Sequence, residues 1–466
     1  MSISVITKHA IEVGDSPKLS IPFKNVLHVE NSGSTEGELE ISYIASTEGP
    51  AKVKKKLIKL KENSSNTTPS DLLKLAYPDS KVSPSILVIY NPKSGQGKSQ
   101  VHLKEQIEPI LKAAKCSYEI VKTTHPKHAS EIARELKITK YDIILCASGD
   151  GIPHEVINGL YLREDRAAAF SKLVVVQVPC GSGNAMSLSC LGVSGKQCQG
   201  WATLEILKGR VVSMDIVAVS KQNVQDVELS FLTSTYGVIV EADETTTWMR
   251  RVGQSRFLIG VAAKVFSRAK YPCSVAFQYV TRTKDELKEF YLSHSNDETS
   301  RSELTDDDLK LKYPVSFDVK SNANGQNGDE GWEWLDDDLS NNLSIFYAGT
   351  MPFISGDTNF FPSAVRNDGC IDISLYDGRV GISATANCLI GLDKGLHAYH
   401  DKFPYFKVKA FKLIPDPHGK KSHVAIDGEN YECQAFQGEV LSGVLKTVMA
   451  TGNFNDAGFD QRINSA

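Results

Sequence analysis

Residues 141–160 read YDIILCASGDGIPHEVINGL. An apolar run, Ile143 to Ala147, stops at the turn Ser148-Gly149-Asp150-Gly151. Beyond it Ile152, Val156, Ile157 and Leu160 recur at the spacing of one helix face. Pro153 suits a first helical turn, where no backbone donor is needed. Strand, glycine turn and helix form the repeating unit of an open α/β sheet, and the surrounding chain repeats it. SILVIY (85–90) leads through NPKSGQGKSQ into the helical EQIEPILKAAKC, YEIVKTT (118–124) leads into KHASEIARELK, and KLVVVQV (172–178) leads through PCGSGNA into another helix. Strands apolar throughout argue for a parallel sheet covered on both faces. The expectation is a doubly wound α/β nucleotide-binding domain over 83–215.

Past about residue 215 strand-like segments dominate: VSMDIVAVS, VELSFLTSTYGVIV, YPCSVAFQYV, LSIFYAGT, CIDISLYDG and FKVKAFKLI. They predict an antiparallel β-sandwich over 216–442. An acidic, Ser/Asn/Gly-rich stretch over 294–341 reads as a mobile insertion in it, and 452–466 as a disordered tail. Residues 1–80 read as an accessory segment of strands that ends in the polar linker ENSSNTTPSD. Within it, AKVKKKLIKLKE sets Val53, Leu57 and Leu60 where they can share a helix face amid lysines, as for an acidic membrane surface. A solvated charged strand or helix is the simpler reading.

Composition narrows the classes. The net charge is −4 over 466 residues and the pI near 6.3, which does not suit a nucleic-acid binder. The nine cysteines begin only at Cys116 and form no CxxC pair, so they read as reduced thiols in a cytoplasmic protein. The N-terminus lacks the apolar core of a signal peptide, and no apolar run reaches membrane-spanning length. Membrane contact is therefore expected to be peripheral, with ER, Golgi, endosome and plasma membrane not distinguished. His397 and His400 lie at i, i+3 without a third ligand, and a packing or surface role is preferred over metal.

Three successive strand ends carry glycine-rich turns, NPKSGQGKS, SGDG and CGSGN, where open α/β sheets bind their ligands. Glycines allow close backbone approach, and amides at helix starts favour phosphate. The first turn is not a Walker A loop, which would need Gly where Pro92 stands. Nor is it GxGxxG, since Gly95 and Gly97 are followed by Gln100. An acid on a phosphate-binding loop repels phosphate unless it has a task. Asp150 fits one: accepting the proton of a hydroxyl that attacks a γ-phosphate, with Mg²⁺ offsetting the repulsion.

NPKSGQGK, ASGDGIPHEVINGL, PCGSGNAMS, YGVIVEADETTTWMRRVGQSRF, FFPSAVRNDGCIDI and DGENYE, in this order from Ser83 to Val440, resemble the diacylglycerol-kinase-type lipid kinases, and most closely the sphingosine kinase branch with its fungal sphingoid long-chain base kinases. The resemblance implies ATP, with Mg²⁺, in a cleft between the two domains and a lipid pocket in the sandwich. Asn91, Pro92 and Lys93 would line the phosphates. Thr123, Thr124, His125, Pro126 and Lys127 would lie near the nucleotide, as would Glu155, Gly181, Ser182 and Gly183. Arg250 and Arg256 would reach the triphosphate, and Asp427, Gly428 and Glu429 would return to it, although Asp427-Gly428 alone reads as a hairpin turn. Ser148, Gly149, Asp150 and Gly151 would form the catalytic loop facing the substrate, with Asp150 as base. Asp243 would meet the polar head of a sphingoid base, whose ammonium suits an acid. No metal ligands are assigned. RFLIGVAAKVFSRAKY (256–271) is basic and amphipathic, compatible with calmodulin or membrane, and reads first as a helix bordering the lipid entrance. The rival readings are a diacylglycerol or ceramide kinase, a nicotinamide nucleotide kinase, and a catalytically silent lipid-binding scaffold.

Overall fold

The computed structural model describes residues 3–14, 19–32, 37–46, 49–60, 67–195, 197–245, 268–297, 299–317, 331–356, 358–416 and 423–459. Arg250, Arg256 and most of the basic stretch 256–271 lie outside these, and of Asp243 only the backbone is described. Six N-terminal strands come first: β1 (Ile3–Ile6), β2 (Ala10–Val13), β3 (Leu19–Pro22), β4 (Val26–Asn31), β5 (Glu38–Ile44) and β6 (Val53–Leu60). They form one sheet in the order β3-β2-β1-β6-β5-β4. The helix weighed for the lysine-rich stretch is not formed. β6 instead pairs residue by residue with β5, from Val53 against Ile44 to Lys59 against Glu38. Its lone buried residue, Ile58, sits in the shared core.

This sheet is joined to the rest by packing as well as by the chain. Gly200 faces Ala51 so closely that a Cβ there would lie 2.8 Å from the Ala51 methyl. The Trp201 indole donates to the Gly49 carbonyl at 2.8 Å, and Lys208 Nζ lies 3.2 Å from the centre of the Tyr77 ring.

The α/β unit is built on four parallel strands, β7 (Ser85–Tyr90), β8 (Ser117–Lys122), β9 (Ile143–Ser148) and β10 (Val174–Pro179), in the order β10-β9-β7-β8. Every residue of β9 and β10 is buried, as continuous apolar strands covered on both faces require. From β7 the chain steps outward to β8, then crosses back to β9 on the other side. The crevice between the carboxyl ends of β7 and β9 is therefore the topological switch point. Two of the three glycine turns leave from those two strands.

The remaining strands are β11 (Arg210–Lys221), β12 (Glu228–Ser230), β13 (Thr233–Gly237), β14 (Cys273–Tyr279), β15 (Glu333–Trp334), β16 (Leu343–Gly349), the short pair β17 (Phe353–Ser355) and β18 (Thr358–Asn359), β19 (Ile371–Asp377), β20 (Tyr405–Pro415), β21 (His423–Ile426), β22 (Glu429–Glu432) and β23 (Phe436–Met449). All but β17 and β18 join one antiparallel sheet of eleven strands. It curls into two layers at β20, which pairs along one side with β14 and on the other first with β19 and then with β23. Phe277, Phe346, Phe411 and Phe436 fill the enclosed core, with Phe346 and Phe411 ring centres 5.1 Å apart. The α/β unit followed by an antiparallel β domain is the architecture expected from sequence.

Two expectations need correction at the edges. The insertion is no loose loop where it is described. Leu304 and Leu309 are buried, Leu304 N donates to Ser171 Oγ at 2.8 Å, and Glu439 accepts the amides of Lys312 and Tyr313 at 2.7 and 3.1 Å. Residues 318–330 lie outside the description. The supposedly disordered tail includes buried Phe459, whose ring lies 4.8 Å from Tyr291 and 5.1 Å from Tyr399. His397 has the packing role preferred for it. Its Nε2 lies 2.8 Å from the Phe360 carbonyl oxygen, and burial pushes the ring's pKa down to about 4.

Candidate functional site

The three glycine turns meet. A Cβ on Gly95, which has a left-handed φ of +57°, would lie 2.3 Å from the Cys180 carbonyl oxygen. One on Gly181 would lie 2.2 Å from Gly149 Cα. No side chain fits at either place, so the glycines that looked like turn formers are also what lets three loops stack backbone on backbone. Asn184 locks the last loop, accepting from Gly181 N and donating to Gly181 O, each at 3.0 Å.

Asp150 stands between the loops, just before the Gly151–Tyr161 helix. Its carboxylate accepts the amides of Ala185 and Met186 at 3.0 and 3.2 Å, at the start of the Ala185–Leu191 helix, and the Gln177 side-chain amide at 3.1 Å. Gln177 is oriented in turn by Ser187 N, 2.8 Å from its carbonyl. Crowding by protein pushes the Asp150 pKa up. The three donors pull against that, and the nearby Asp427 adds to the rise. The residue as a whole is only half-buried, so the carboxyl is crowded while its loop keeps an open edge. A buried carboxylate whose pKa is raised by burial against the pull of its donors has the character of a general base.

The other predicted residues fall into three groups. Asn91, Pro92 and Lys93 turn off the end of β7, with Asn91 Oδ1 accepting Lys93 N at 2.9 Å and Lys93 exposed. Thr123 is buried and bonds through its amide to the Tyr90 carbonyl at 3.0 Å. Thr124, His125, Pro126 and Lys127 are exposed, and Lys127 has a φ of +65°. Glu155 ties this loop to the site, since its Oε2 accepts Ala129 N at 3.0 Å. Ser148 is buried with its hydroxyl on the Gly149 carbonyl at 2.8 Å, while Ser182 is exposed between Gly181 and Gly183. All of these gather at the carboxyl ends of the parallel strands.

Asp427 differs. Asp427-Gly428 does form the tight turn between β21 and β22, with φ of +48° and +85°, the pattern of a two-residue hairpin loop. Gly428 and Glu429 are exposed. The Asp427 carboxylate is turned inward, accepting Ser230 Oγ at 2.6 Å and the amides of Phe231, Leu232 and Thr233 at 3.0, 3.1 and 2.9 Å, and facing His154 Nδ1 at 2.9 Å. His154 Nε2 faces Glu228, which also meets Lys221 and Tyr431. Sequence reading passed over Gln177, Asn184, His154 and Glu228. A visible signal existed for one: Gln177 is the lone amide in an otherwise apolar strand.

A doubly wound sheet with three stacked glycine loops over one aspartate, followed by a curled antiparallel domain, defines the catalytic fold of the diacylglycerol kinase class. The family model for the diacylglycerol kinase catalytic domain matches residues 85–219. A diacylglycerol kinase structure from Bacillus anthracis str. Sterne superposes with a TM-score of 0.51 at 19% identity, covering 78% of this chain and 97% of that one, a likeness of fold. Among curated proteins, Sphingoid long chain base kinase 5 of Saccharomyces cerevisiae is 35% identical over 84% of this chain. Sphingoid long chain base kinase 4 of Schizosaccharomyces pombe is 32% identical over 94%. The chain spans 63% of the length of the first and 89% of the second. Sphingosine kinase 1 of Homo sapiens is 25% identical over 76% of this chain and 88% of that protein. The chain belongs to the sphingoid long chain base kinase family.

Proposed function

We propose that the protein transfers the γ-phosphate of ATP to the primary hydroxyl of a sphingoid long-chain base, giving the 1-phosphate and ADP. The observation that carries this is the stacking of three glycine loops around Asp150 at the switch point, in a chain of this family. Asp150 takes the hydroxyl proton as the oxygen attacks phosphorus in line, and the bond from the γ-phosphorus to the bridging oxygen breaks. The loops from Asn91 to Lys93 and from Gly181 to Gly183 bear on the nucleotide phosphates, together with Arg250 and Arg256, whose charge stabilises the group in flight. No group of three or more His, Cys, Asp or Glu among the described residues is arranged as a metal cage. The Mg²⁺ expected with ATP is assigned to the nucleotide phosphates, where it would neutralise the transferring group.

Asp243, in the Val238–Thr245 helix that directly follows β13, is assigned to the ammonium head of the base, and the apolar tail to the sheet domain. No helix among the described residues is long and apolar enough to cross a membrane, in keeping with lipid taken from a membrane surface by peripheral contact. The test is transfer from labelled ATP to a panel of sphinganine, phytosphingosine, diacylglycerol, ceramide and NAD, with Asp150→Asn and Asp243→Ala in parallel. Label on the long-chain bases, lost in Asp150→Asn and weakened in Asp243→Ala, is the expected result. Label on a neutral lipid or NAD alone overturns the substrate assignment, and no transfer at all overturns the activity.

A further inference from the structure

His154 sits one helical turn beyond Asp150, and its backbone amide closes that turn on the Asp150 carbonyl at 3.2 Å. Its ring points away from the loops into the join between the α/β unit and the sheet. Nδ1 lies 2.9 Å from Asp427 Oδ2, and Nε2 lies 3.0 Å from Glu228 Oε1. An ionised carboxylate only accepts, so both ring nitrogens must carry hydrogen and the ring is an imidazolium. The cluster is largely shielded from water, with the side chains of Asp427, His154 and Glu228 0%, 8% and 15% exposed.

The surroundings account for the charge. Burial alone would strip the proton from the ring. Asp427 and Glu228 outweigh it and raise the His154 pKa to about 10. Glu228 is pushed up by burial and more than compensated by His154, Lys221 and Tyr431, ending near 2. Asp427 from the β21–β22 turn and Glu228 from β12 face the ring itself, while Lys221 from β11 and Tyr431 from β22 bear on it through Glu228. Lys221 Nζ also sits 3.8 Å from the centre of the Tyr431 ring. Asn158, a turn further along the same helix, donates to the Leu229 carbonyl at 2.9 Å and accepts Leu229 N at 2.8 Å. One face of the helix that begins beside Asp150 is thus fastened to the sheet domain by a charged ring and an amide.

We infer that His154 is a positioning residue, a standing imidazolium that fixes the Asp150 turn against the sheet domain, and that Asp427 acts on phosphoryl transfer through this ring instead of by touching nucleotide. The inference rests on the reading of Asp150 as the base. It separates two roles for the Asp-Gly-Glu turn. A nucleotide ligand would show in the KM for ATP, whereas a positioning chain shows in kcat.

The experiment uses the full chain as wild type, His154→Gln, Asp427→Asn and the double variant, with melting curves for each. Each single change is expected to lower kcat by roughly 10- to 100-fold, because small misplacements of a reacting group cost that much. The KM for ATP should stay within about twofold, and the double variant should be no slower than the worse single one, as for residues acting as one unit. In Asp427→Asn the ring loses one of its two charged partners. A new limb should then enter the pH profile of kcat, with activity falling as pH rises, which a purely structural defect would not produce. An Asp427→Asn variant with normal kcat and a KM for ATP raised roughly tenfold overturns the inference, as do single losses that multiply in the double variant.

Should His154→Gln fail to fold, Glu228→Gln loosens the same ring from its other side and is read by the same kcat-against-KM split. The charge itself is read by NMR of the ring protons in the wild type. The His154 signal should hold its protonated position to about pH 9, and titration below about pH 8 overturns the inference. The function reading fails separately. Wild-type protein that labels no acceptor refutes it, while the NMR titration still decides whether the ring is charged.

Discussion

Gly181→Ala puts the stacking of the glycine loops to a direct test. The added methyl would stand 2.2 Å from Gly149 Cα and 2.5 Å from Gly149 N, and 3.1 Å from the Gly183 carbonyl oxygen. These neighbours are backbone, with no side chain to swing aside. An unstrained contact begins near 3.4 Å, so the SGDG and CGSG loops must part by about 1 Å. Overpacking of this kind costs ~1–3 kcal/mol, a fall in Tm of several degrees at most for a chain of this size. The effect on turnover should be larger than that suggests. Asp150 is held by amides from one loop's helix and leads into a helix from the other, so the shift moves its carboxylate against its own donors. A displacement of about 1 Å at a reacting group costs ~100-fold in rate. The assay is kcat for sphinganine phosphorylation alongside a melting curve, with Gly381→Ala as control, since a Cβ there meets nothing within 4 Å. Full activity and an unchanged Tm in Gly181→Ala would refute the stacked-loop description of the site.

Asp150→Asn should abolish transfer by ~10³-fold or more, and should also destabilise by ~1–3 kcal/mol. Its new amide group would face the donors Ala185 N, Met186 N and Gln177, as melting curves would reveal. The interdomain charges predict a pH window for stability. The raised pKa of His154 contributes fully below 6.5 and is lost as pH climbs through about 10, while the lowered pKa of Glu228 contributes fully above 4.5 and is lost as pH falls through about 2. Tm should therefore be highest between roughly pH 4.5 and 6.5, and His154→Gln should flatten the alkaline decline while lowering Tm overall, because it leaves two carboxylates without their shared cation at a cost of ~3–5 kcal/mol. Gly200→Val should overpack the seam with Ala51, where even a Cβ lies 2.8 Å from the methyl, and cost ~1–3 kcal/mol in denaturant unfolding. An unchanged midpoint would mean that the N-terminal sheet is not packed there.

Taken alone, the sequence determined the parts whose cause is local. Buried strands announced themselves as the apolar runs SILVIY, IILCA and KLVVVQV, and the glycine turns announced where those strands end, because strand and turn chemistry act within a few residues. The Asp427-Gly428 hairpin was visible for the same reason. The lysine-rich stretch was not. Val53, Leu57 and Leu60 satisfy a helical period, and only the neighbouring β5, with its matching register, made the segment a strand. Tertiary structure alone decided what each polar group pairs with. Asp427 meets His154 across 273 positions of chain, and Gln177 meets Asp150 across 27, and no periodicity carries such information. The same holds for the glycines. Sequence showed that Gly95, Gly149 and Gly181 end strands, but that a Cβ on Gly95 or Gly181 would strike another loop's backbone follows from the order β10-β9-β7-β8, which brings three carboxyl ends to one crevice. Local sterics write themselves into composition and spacing, whereas long-range electrostatics depend on a topology that exists only once the chain has folded.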